Sequence, residues 1–462
     1  MNSETVSSWD IDLIKKYDYS GPRYTSYPTA VQFADTFNIK QCLAEISGAD
    51  SDKPLSLYVH IPFCAKLCYY CGCNKIISNH HSDATEYLAR LYKEIEQQSQ
   101  HIDCTRVIEQ MHWGGGTPTF LDLDQIHELV SRLKTTFNFL DDDSGDYAIE
   151  IDPRECSTEK LQLLRDEGFN RVSLGVQDFN LDVQKAVNRV QSFSLVEGLL
   201  QAARKMAFKS INMDLIYGLP RQTQASFQDT LEQVIELSPD RLSIFNYAHL
   251  PERFKSQRLI STDELPGAND KLAIQELTIN TLTASGYVHI GMDHFARPDD
   301  PLTLAQQAGM LHRNFQGYST HKHCDLLSFG VSAISQIGPY IFQNTPRIKH
   351  YNALLDGDQT PIVRGIKLTA DDFIRQQVIM QLICHFELDK QSVERDFGLV
   401  FDQYFAREMH QLEHFEEDGL VALSPGQIKV TAKGRFLIRN ICMVFDAYLS
   451  QDDQRQRYSR II

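Results

Sequence analysis

Hydrophobic and polar positions repeat one pattern between about Leu55 and His249. A short apolar run typical of a β-strand is followed by a polar or glycine-rich turn, and then by a stretch of helical periodicity. The apolar runs are LSLYVHI, IEQMHW, YAIEI, RVSLGV, SINMDLIY and RLSIFNY. The intervals between them can hold crossover helices, so the pattern predicts a parallel sheet covered by helices, either doubly wound or curled towards a barrel. These six units are fewer than the eight of a complete barrel.

Unusual residues stand where the predicted strands end. A group of cysteines follows the first run, the segment GGGTPT follows the second, Gln177 follows the fourth and Ala248 follows the sixth. Glu150 and Asp214 lie within the third and fifth runs. In barrel folds the loops at the carboxyl ends of the strands converge on one mouth, where the chemistry takes place. We therefore expect these residues to share one site.

The segments on either side of this core have a different pattern. YDYSGPRYTSYPTA is rich in aromatic residues, proline and glycine, which favours an ordered arm over a helix. After Leu368, TADDFIRQQVIMQLICHF and SVERDFGLVFDQYFAREMHQLEHFEEDGL are amphipathic with helical periodicity, and the second ends at Gly419. A hairpin and a helix are predicted to follow. We expect an N-terminal arm (1–50), a barrel with its extension (51–365) and a mostly helical, winged-helix-like domain (366–462) that serves as a lid or packing domain.

Composition narrows the classes of function. The 462 residues, 42% of them hydrophobic, suit two or three globular units with a large core. No apolar run reaches the roughly 18 residues of a membrane helix, and the first residues lack a basic flank followed by an apolar stretch. We therefore expect a cytoplasmic protein without a membrane span, in which clustered thiols indicate a metal site or catalysis. A formal net charge of −16 argues against a nucleic-acid partner.

Four cysteines fall within ten residues: Cys64, Cys68, Cys71 and Cys73. Three thiolates spaced C-x3-C-x2-C can each bind one iron of a cubane cluster and leave the fourth iron open, which indicates catalysis. A structural zinc site would require a second ligand pair after a longer spacer, and no second C-x2-C pair follows. In a ferredoxin-type carrier Cys73 would complete the cluster, but its one-residue spacing from Cys71 is sterically unfavourable for that role.

Six motifs together resemble a known family: YVHIPFCAKLCYYCGC, HWGGGTPT, GVQDFN, DLIYGLP, GMDHFARPDD and HRNFQGY. The cysteine motif after the first strand resembles the radical S-adenosylmethionine superfamily. The whole set closely resembles its oxygen-independent coproporphyrinogen III oxidases over nearly the entire chain. The resemblance implies an α/β fold with an incomplete (β/α)6 barrel. It also implies the oxidative decarboxylation of two propionates of coproporphyrinogen III to vinyl groups, without oxygen, in heme biosynthesis.

The resemblance also implies the cofactors. One 4Fe–4S cluster is bound by Cys64, Cys68 and Cys71, and its open iron binds one S-adenosylmethionine. An electron then cleaves this molecule to give a 5′-deoxyadenosyl radical, chemistry that belongs to the cofactor. A second S-adenosylmethionine also binds, and two are consumed per product. The resemblance implies that Cys73 takes part in turnover and does not bind the cluster. The electron is expected from an unidentified reducing partner that is flavodoxin- or ferredoxin-like.

Motif positions imply further site residues. Contacts to the first S-adenosylmethionine are implied for Tyr58, Gly115, Glu150 and Ile334. Contacts to the second are implied for Gly116, Thr117, Gln177, Arg189, Asp214 and Ala248. Tyr70 stands where some relatives have phenylalanine, so a main-chain contact is expected of it. Glu150 suits ribose hydroxyls as a bidentate acceptor. His60, on the cluster-bearing strand, joins Tyr58 and Cys73 as a candidate catalytic residue.

Several of these residues have a structural alternative. The glycine-rich segment alone would indicate a tight turn between strand and helix. Asp152 shares a strand face with Glu150 and precedes a proline, which favours a role in shaping the turn. Two such carboxylates also occur in glycoside hydrolases, but nothing else in the sequence indicates a sugar cleft. Ala248 and Ile334 would look like ordinary core residues without the resemblance.

The substrate carries four propionates, which require cationic partners. Because the chain is acidic, long-range attraction is not expected, and local cations must hold the carboxylates. Arg23 in the arm is the first candidate, and Arg313 and Lys75 follow. A solvated surface position is the alternative for each of them.

The segment HKHCD places His321, His323 and Cys324 together in a way that resembles a metal site. No fourth ligand is evident along the chain, and the surrounding loop is polar. A solvated loop is therefore the favoured interpretation.

Two other functions compete with the oxidase. A heme-binding chaperone of the same superfamily would bind and deliver heme without oxidising a substrate. Such relatives usually have phenylalanine where this chain has Cys73, and they generally lack the N-terminal arm. A general iron–sulfur electron carrier would leave the polar residues at the strand ends without a purpose.

Overall fold

The computed structural model describes residues 10–49, 51–449 and 458. Its α-helices, in chain order, are α1 (Ile11–Lys16), α2 (Ile39–Ser47), α3 (His81–Ser99), α4 (Leu123–Thr136), α5 (Thr158–Asp166), α6 (Leu181–Ala186), α7 (Phe193–Lys205), α8 (Gln224–Leu237), α9 (Ala268–Ala284), α10 (Pro301–Gln307), α11 (Ile348–Asp356), α12 (Ala370–His385), α13 (Lys390–Phe397), α14 (Phe401–Tyr404), α15 (Ala406–Glu417) and α16 (Ile438–Met443). None of the helices in this described part of the chain is long and apolar enough to cross a membrane.

The strands are short, as is usual in globular proteins. In chain order they are β1 (Leu55–Ile61), β2 (Phe63–Cys64), β3 (Ile76–Ile77), β4 (Val107–Gly115), β5 (Asn138–Phe139), β6 (Asp146–Ile151), β7 (Arg171–Gln177), β8 (Ser210–Tyr217), β9 (Arg241–Asn246), β10 (Val288–Gly291), β11 (His294–Ala296), β12 (His312–Asn314), β13 (Gly317–Ser319), β14 (Asp325–Phe329), β15 (Ile334–Ile337), β16 (Tyr340–Asn344), β17 (Ile362–Lys367), β18 (Glu387–Asp389), β19 (Val421–Leu423) and β20 (Gln427–Val430). The six runs chosen from the sequence correspond to β1, β4, β6, β7, β8 and β9, each within two residues at either end.

The described residues form two compact units. The barrel unit contains 33–266 and 323–367, and the C-terminal unit contains 10–32, 267–322 and 368–449. The division into arm, barrel and C-terminal domain made from the sequence stays a prediction. The first nine residues of the predicted arm lie outside the described residues.

The barrel unit is built on six parallel strands in the order β1-β4-β6-β7-β8-β9. Helices α3, α4, α5, α7 and α8 occupy the intervals between successive strands, as a parallel sheet requires. On the other side of β1, β14 pairs parallel and β15, β16 and β17 continue antiparallel. The predicted α/β class with six units of a partial barrel is confirmed.

Alternation along the strands separates the core from the site. On β8, Ile211, Met213 and Leu215 are buried, and Asn212 and Asp214 between them are half-buried. Because successive side chains point to opposite faces of a strand, the polar residues of β8 share one face of the sheet. The apolar residues of the other face supply the core beneath the helices. The order of residues along the strand thus determines which face of the sheet carries the polar side chains.

The C-terminal unit confirms the predicted hairpin and helix, because β19 and β20 pair antiparallel and α16 follows them. Thr369 and Asp372 form a reciprocal capping box that starts α12. The single helix predicted to end at Gly419 was wrong, since the segment forms α13, α14 and α15 instead. Gly398 ends α13 with φ +67°, a left-handed conformation that glycine adopts without a steric penalty.

The arm is divided between the two units: residues 10–32 belong to the C-terminal unit, and residues 33–49 belong to the barrel unit. Tyr17, Tyr24 and Tyr27 are buried in the C-terminal unit among apolar residues of the C-terminal helices. The Tyr24 hydroxyl donates to Asp446 at 3.0 Å, and Asn440 donates to the main-chain carbonyl of Tyr17 at 2.9 Å. The stretch from 17 to 29 is ordered without being helical, as predicted.

Candidate active site

The cysteine-bearing loop leaves the carboxyl end of β1 and is closed by its own main chain. The amide of Ile76 donates to the carbonyl of Pro62 at 2.6 Å, and the amide of Ser78 donates to the carbonyl of Cys64 at 3.1 Å. These bonds belong to the parallel pairing of β2 with β3. The loop is therefore held at both ends by main-chain hydrogen bonds.

Residues from a neighbouring loop support the cysteine loop. Gln257 donates through Nε2 to the carbonyls of Tyr70 (2.9 Å) and Ala248 (3.1 Å), which links the end of β9 to the cysteines. The structure thus brings Tyr70 and Ala248 together through their main chains. Ala248 is exposed, so it is not a core residue. Lys75, one of the cations considered for the substrate, instead donates to the carbonyl of Cys71 at 2.9 Å.

The sulfurs of Cys64 and Cys68 are buried and accept hydrogen bonds from the protein. Thr117 Oγ1 donates to Cys64 Sγ at 3.5 Å, and Arg154 Nη2 and Arg189 Nη1 each donate to Cys68 Sγ at 3.4 Å. Such donors stabilise negative sulfur and tune a cluster bound to it. Burial raises the pKa of Cys64 to about 12, because a thiolate there loses its solvation and has no cation to replace it.

Cys71 and Cys73 form a thiol pair in which one member is the anion. A hydrogen bond from Cys73, followed by the charge of Lys75, lowers the pKa of Cys71 to about 6 although burial opposes it. The same hydrogen bond raises the pKa of Cys73, which is exposed to solvent. Cys71 is therefore the thiolate suited to bind metal, and Cys73 is the protonated neighbour.

The donor set fits an iron–sulfur cluster better than one metal ion. A structural zinc ion requires four protein ligands, whereas three thiolates suffice for a cubane in which each binds a different iron and the fourth iron stays open. The hydrogen bonds to Cys64 and Cys68 suit sulfurs that carry negative charge in such a cluster.

Three successive glycines allow their neighbours to pack closely beside the cysteine loop. A Cβ on Gly114 would lie 2.9 Å from the Glu150 carboxyl group, and one on Gly115 would lie 2.7 Å from the His60 ring. A Cβ on Gly116 would lie 2.7 Å from the main chain that leads into the cysteine loop. Gly115 also has φ +116°, which side chains rarely adopt. The glycines are therefore required by close approach as well as by the turn.

Glu150 lies at the centre of a small hydrogen-bonded group. Its Oε1 lies 3.2 Å from His112 Nε2, and its Oε2 accepts from the amide of Gly115 at 3.3 Å. The carboxylate keeps free acceptor capacity and is about half exposed, so it can receive a ligand hydroxyl. Sequence reasoning missed His112. Its position two residues before Gly114, on the same strand face, was the available signal.

Tyr58 and His60 form a connected pair on β1. His60 Nε2 donates to the main-chain carbonyl of Asn74 at 3.0 Å, so its Nδ1 accepts from the Tyr58 hydroxyl at 3.1 Å. Burial lowers the pKa of His60, which keeps the ring neutral in this arrangement. The Tyr58 ring stacks on His112 with 6.0 Å between centroids. His60 thus positions Tyr58 and the end of the cysteine loop together.

Asp214 forms a second, separate carboxylate centre. Ser173 donates to its Oδ2 at 2.7 Å and Asn212 donates to its Oδ1 at 2.8 Å. Burial raises the pKa of Asp214 to about 6 in spite of these bonds. Gln177, at the end of the adjacent strand, has φ +68° at a shift of register, a strained conformation of the kind found at functional sites. Ser173 and Asn212 were also missed from the sequence.

Asp152 holds two arginines beside the cysteines. Arg189 Nη1 and Arg154 Nη2 donate to its Oδ2 at 2.9 Å and 2.7 Å. Burial opposes ionisation, but the hydrogen bond and charge of Arg154 and the charge of Arg189 lower the pKa of Asp152. The carboxylate also accepts from the amide of Arg154 at 3.0 Å, which is the turn-shaping role expected of it. The Nη groups of Arg189 thus donate hydrogen bonds to Asp152, to Cys68 and to the carbonyl of Gly175.

Ile334 lies at the start of β15, in the same unit as the cysteines. It is half-buried, and its carbonyl accepts from Ser328 Oγ at 2.6 Å. It is therefore not a fully buried core residue.

The arginines considered for the substrate lie in the C-terminal unit. Arg313 is buried with its guanidinium 4.7 Å from the centre of the Tyr318 ring, and its Nε and Nη1 have no hydrogen-bond partner among the described residues. Arg23 lies 3.4 Å from Asp293. Burial first, and then the charges of Arg23 and Arg313, lower the pKa of buried Arg439 to about 9. The charges of Arg23, Arg313 and Asp293 thus all act on Arg439, which was missed from the sequence.

Comparisons with known proteins agree with this geometry. The family described as the radical SAM superfamily matches residues 58–234, and the HemN C-terminal domain matches residues 368–437. The oxygen-independent coproporphyrinogen III oxidase of Pseudomonas aeruginosa is 55% identical over 98% of this chain and 99% of the relative. That of Salmonella typhimurium is 52% identical over the full length of both. The solved structure of coproporphyrinogen III oxidase (HemN) from Escherichia coli, a radical SAM enzyme, has a TM-score of 0.91 and 50% identity, and covers 96% of this chain and 99% of that one.

Proposed function

The chain belongs to the family of oxygen-independent coproporphyrinogen III oxidases, and we propose how its residues divide the work of that reaction. It is a radical SAM oxidoreductase of heme biosynthesis that uses a 4Fe–4S cluster and S-adenosylmethionine. The alternative of a heme-binding chaperone is not favoured, because relatives that are 52% and 55% identical over 100% and 98% of the chain are named as oxidases.

The proposed reaction converts two propionates to vinyl groups, and each conversion removes one hydrogen atom, one molecule of carbon dioxide and one electron, which passes to an external acceptor. When bound, the cluster and S-adenosylmethionine would supply a 5′-deoxyadenosyl radical able to remove that hydrogen atom. The protein must hold the reacting carbon close to that radical and keep water away. Polar side chains that share one face of six strand ends are suited to this task, since they bind ligand groups while the other face stays apolar.

Cys64, Cys68 and Cys71 are proposed to hold three irons. The observation that carries this assignment is the environment of the sulfurs, in which Thr117 and two arginines donate to Cys64 and Cys68. The first S-adenosylmethionine is assigned to the group formed by Glu150, Gly115, His60 and Tyr58, in which the Glu150 carboxylate is half exposed. Glu150 would accept from its ribose hydroxyls, and Tyr58, fixed by His60, would contact the same molecule.

The second S-adenosylmethionine is assigned to the carboxylate of Asp214 and the residues near it. Both Asp214 oxygens already accept one hydrogen bond, and each keeps capacity for another. Gln177 on the neighbouring strand, together with Gly116, Thr117 and Ala248, would complete this set. Arg189 would help to position the neighbouring residues and would not bind the molecule through its Nη groups, since these already donate to Asp152 and to the carbonyl of Gly175.

Arg23, Arg313 and Arg439 are proposed to bind a propionate of the substrate. The support is that two arginine charges and the charge of Asp293 act on Arg439, and that buried Arg313 has no acceptor for its Nε and Nη1 in the described residues. A carboxylate would supply both the missing acceptors and the missing negative charge. Coproporphyrinogen III offers four such groups.

A flavodoxin- or ferredoxin-like protein is proposed to deliver the electron. A reductant is required because the cluster must pass one electron to S-adenosylmethionine before the 5′-deoxyadenosyl radical can form. We propose that the protein works in the cytoplasm, because thiols that bind a cluster must be kept reduced. An oxidising compartment would favour pairing of exposed thiols.

An anaerobic assay tests the reaction directly. Iron-loaded protein is incubated with coproporphyrinogen III, a reductant and S-adenosylmethionine, and methionine, 5′-deoxyadenosine and porphyrin products are measured together. We expect two molecules of 5′-deoxyadenosine per divinyl product and an early intermediate with one vinyl group and three propionates. One molecule cleaved per divinyl product, or heme binding without decarboxylation, would contradict the proposal.

A further inference from the structure

A β-bulge at the start of β4 redirects Glu109. In the pairing of β1 with β4, Leu55 is opposite Ile108 and Ser56 is opposite Gln110, so Glu109 is the extra residue of the bulge. Such a residue leaves the regular alternation, and bulges are retained in proteins where they aim a side chain. The Glu109 carboxylate points to the loop that precedes β14, where it meets His323 and Cys324.

Three different ligand atoms meet at this point. His323 Nε2 lies 2.7 Å from Glu109 Oε2, and Cys324 Sγ lies 3.8 Å from the same oxygen. His323 is exposed, and Glu109 and Cys324 are half-buried, so an ion can enter from solvent. Glu109 stands 214 residues from His323 in the chain, which is why the HKHCD segment alone did not reveal this partner.

The observed distances are close to those around a tetrahedral zinc ion. With ordinary bond lengths, a tetrahedral ion would separate its nitrogen and carboxylate ligands by about 3.4 Å and its sulfur and carboxylate ligands by about 3.6 Å. The Glu109–His323 contact would have to open slightly and the Glu109–Cys324 contact would have to close slightly. Both adjustments are below one ångström. His323 is exposed and Glu109 is half-buried, so both side chains can move by this amount.

The mixed donor set selects the class of metal. Calcium and magnesium require oxygen ligands, whereas an imidazole, a thiolate and a carboxylate together suit zinc and its neighbours among the divalent transition metals. The segment carries another imidazole, that of His321, two residues before His323.

The site is separate from the cluster. Glu109 and the start of β14 lie beside Leu55, the first residue of β1, whereas the cysteine loop follows Ile61 at its other end. A strand of seven residues spans roughly 20 Å. We propose that Glu109, His323 and Cys324 form a second metal site, for zinc or a similar divalent transition metal, at the amino ends of β4 and β14.

Zinc titration of the iron-loaded protein tests this site, because the cluster ligands are then already occupied. Zinc is added anaerobically in competition with a chromophoric chelator, and stoichiometry and affinity are measured. We expect one zinc per chain, and at least a tenfold loss of affinity in Glu109→Gln, His323→Ala and Cys324→Ser. His101→Ala and Cys104→Ser change a half-buried histidine and cysteine elsewhere in the same unit, and should keep the affinity of the unchanged protein.

Protection of the Cys324 thiol from alkylation gives a second readout. It is measured first in the unchanged protein, where the stability of a variant plays no part. Bound zinc should slow alkylation of Cys324 by iodoacetamide, measured by mass spectrometry of the peptide that contains it. His323→Ala should abolish this protection, while its iron content and circular dichroism stay unchanged. Zinc binding that survives in Cys324→Ser, or alkylation that zinc does not slow in the unchanged protein, would overturn the proposal.

Discussion

The guanidinium of Arg189 lies 2.9 Å from the carboxylate of Asp152, and both side chains are buried. Arg154 donates to the same carboxylate, so one anion holds two cations within hydrogen-bonding distance of Cys68. A buried charge that loses its partner destabilises a protein strongly, even where the intact pair contributes little. The cysteine environment therefore depends on an aspartate that touches none of the cysteines.

Asp152→Ala should lower the free energy of unfolding by about 3–5 kcal/mol, because two buried guanidinium groups lose their anion. It should also reduce the iron retained after reconstitution, since the donors to Cys68 are no longer held in place. Denaturant unfolding and iron analysis measure the two effects. Glu159→Gln, which changes an exposed carboxylate in the next helix, should stay within about 0.5 kcal/mol. Unchanged stability in Asp152→Ala would show that the arginines find other partners.

Cys73→Ala should keep the cluster and lose turnover, whereas Cys71→Ala should lose the cluster. The reason is that Cys71 is the thiolate of the pair and Cys73 is its exposed, protonated neighbour. Anaerobic iron and sulfide analysis, with spectroscopy of the reduced cluster, measures the first property and product formation the second. Cys104→Ser serves as the control and should change neither. If the Cys73 variant loses its iron, Cys73 is a ligand.

Glu150→Ala and Asp214→Ala should each remove the binding of a different S-adenosylmethionine. The two carboxylates lie on separate strands and have separate partners, His112 and Gly115 for Glu150, and Ser173 and Asn212 for Asp214. Titration calorimetry on iron-loaded protein should show a stoichiometry that falls from two to one in each variant. Full stoichiometry and affinity in both variants would disprove the assignment of two sites.

The raised pKa of Asp214 predicts a pH dependence of stability. Because its pKa is about 6 in the folded chain and near 3.8 in the unfolded chain, the folded chain binds more protons between these values. This group therefore contributes stability at low pH that is lost as the pH rises through about 6. Asp214→Asn cannot ionise, so it should be more stable than the unchanged protein above pH 6, by up to about 3 kcal/mol.

Unfolding measured at pH 5 and at pH 7.5 checks this sign. The advantage of Asp214→Asn should be larger at pH 7.5. Asp229→Asn, which removes an exposed carboxylate from α8, should show no such difference. An advantage that is the same at both pH values would mean that the carboxyl does not titrate in this range.

Arg313→Met should raise the KM for coproporphyrinogen III at least tenfold without lowering the free energy of unfolding. Two donors of the Arg313 guanidinium, Nε and Nη1, have no acceptor in the described chain. The substitution therefore removes the desolvation cost of a buried charge and breaks no ion pair. Anaerobic steady-state kinetics and denaturant unfolding measure both quantities, with the exposed Arg407→Ala as control. A destabilised protein with an unchanged KM would show that Arg313 is only structural.

The strands were predictable because their apolar runs end at turn signals. LSLYVHI and SINMDLIY coincide with β1 and β8 at both ends. The cysteine spacing and the glycines are local in the chain, so their chemistry could be inferred from order alone. The predicted helix that ends at Gly419 failed because its apolar periodicity continues past Gly398, where the main chain turns left-handed.

Interactions between distant positions could not be predicted. Asp152 and Arg189 are 37 residues apart and Glu109 and His323 are 214 residues apart, so only the folded sheet brings each pair together. The arm tyrosines illustrate the same limit. Their aromatic character predicted an ordered arm, but it did not reveal that Tyr24 and Tyr27, which are 1% and 0% exposed, belong to the core of the C-terminal unit. Aromatic composition does not distinguish a ligand surface from a core.

The closure of the cysteine loop bears on how the loop responds when a cysteine is replaced. The amide of Ile76 donates to the carbonyl of Pro62, and the amide of Ser78 donates to the carbonyl of Cys64, so the main chain itself ties the loop. Because neither bond uses a side chain, replacing a cysteine removes a thiol without removing a tie. These bonds restrict the backbone conformations open to the loop, and less entropy remains to be lost when its thiols bind a cluster.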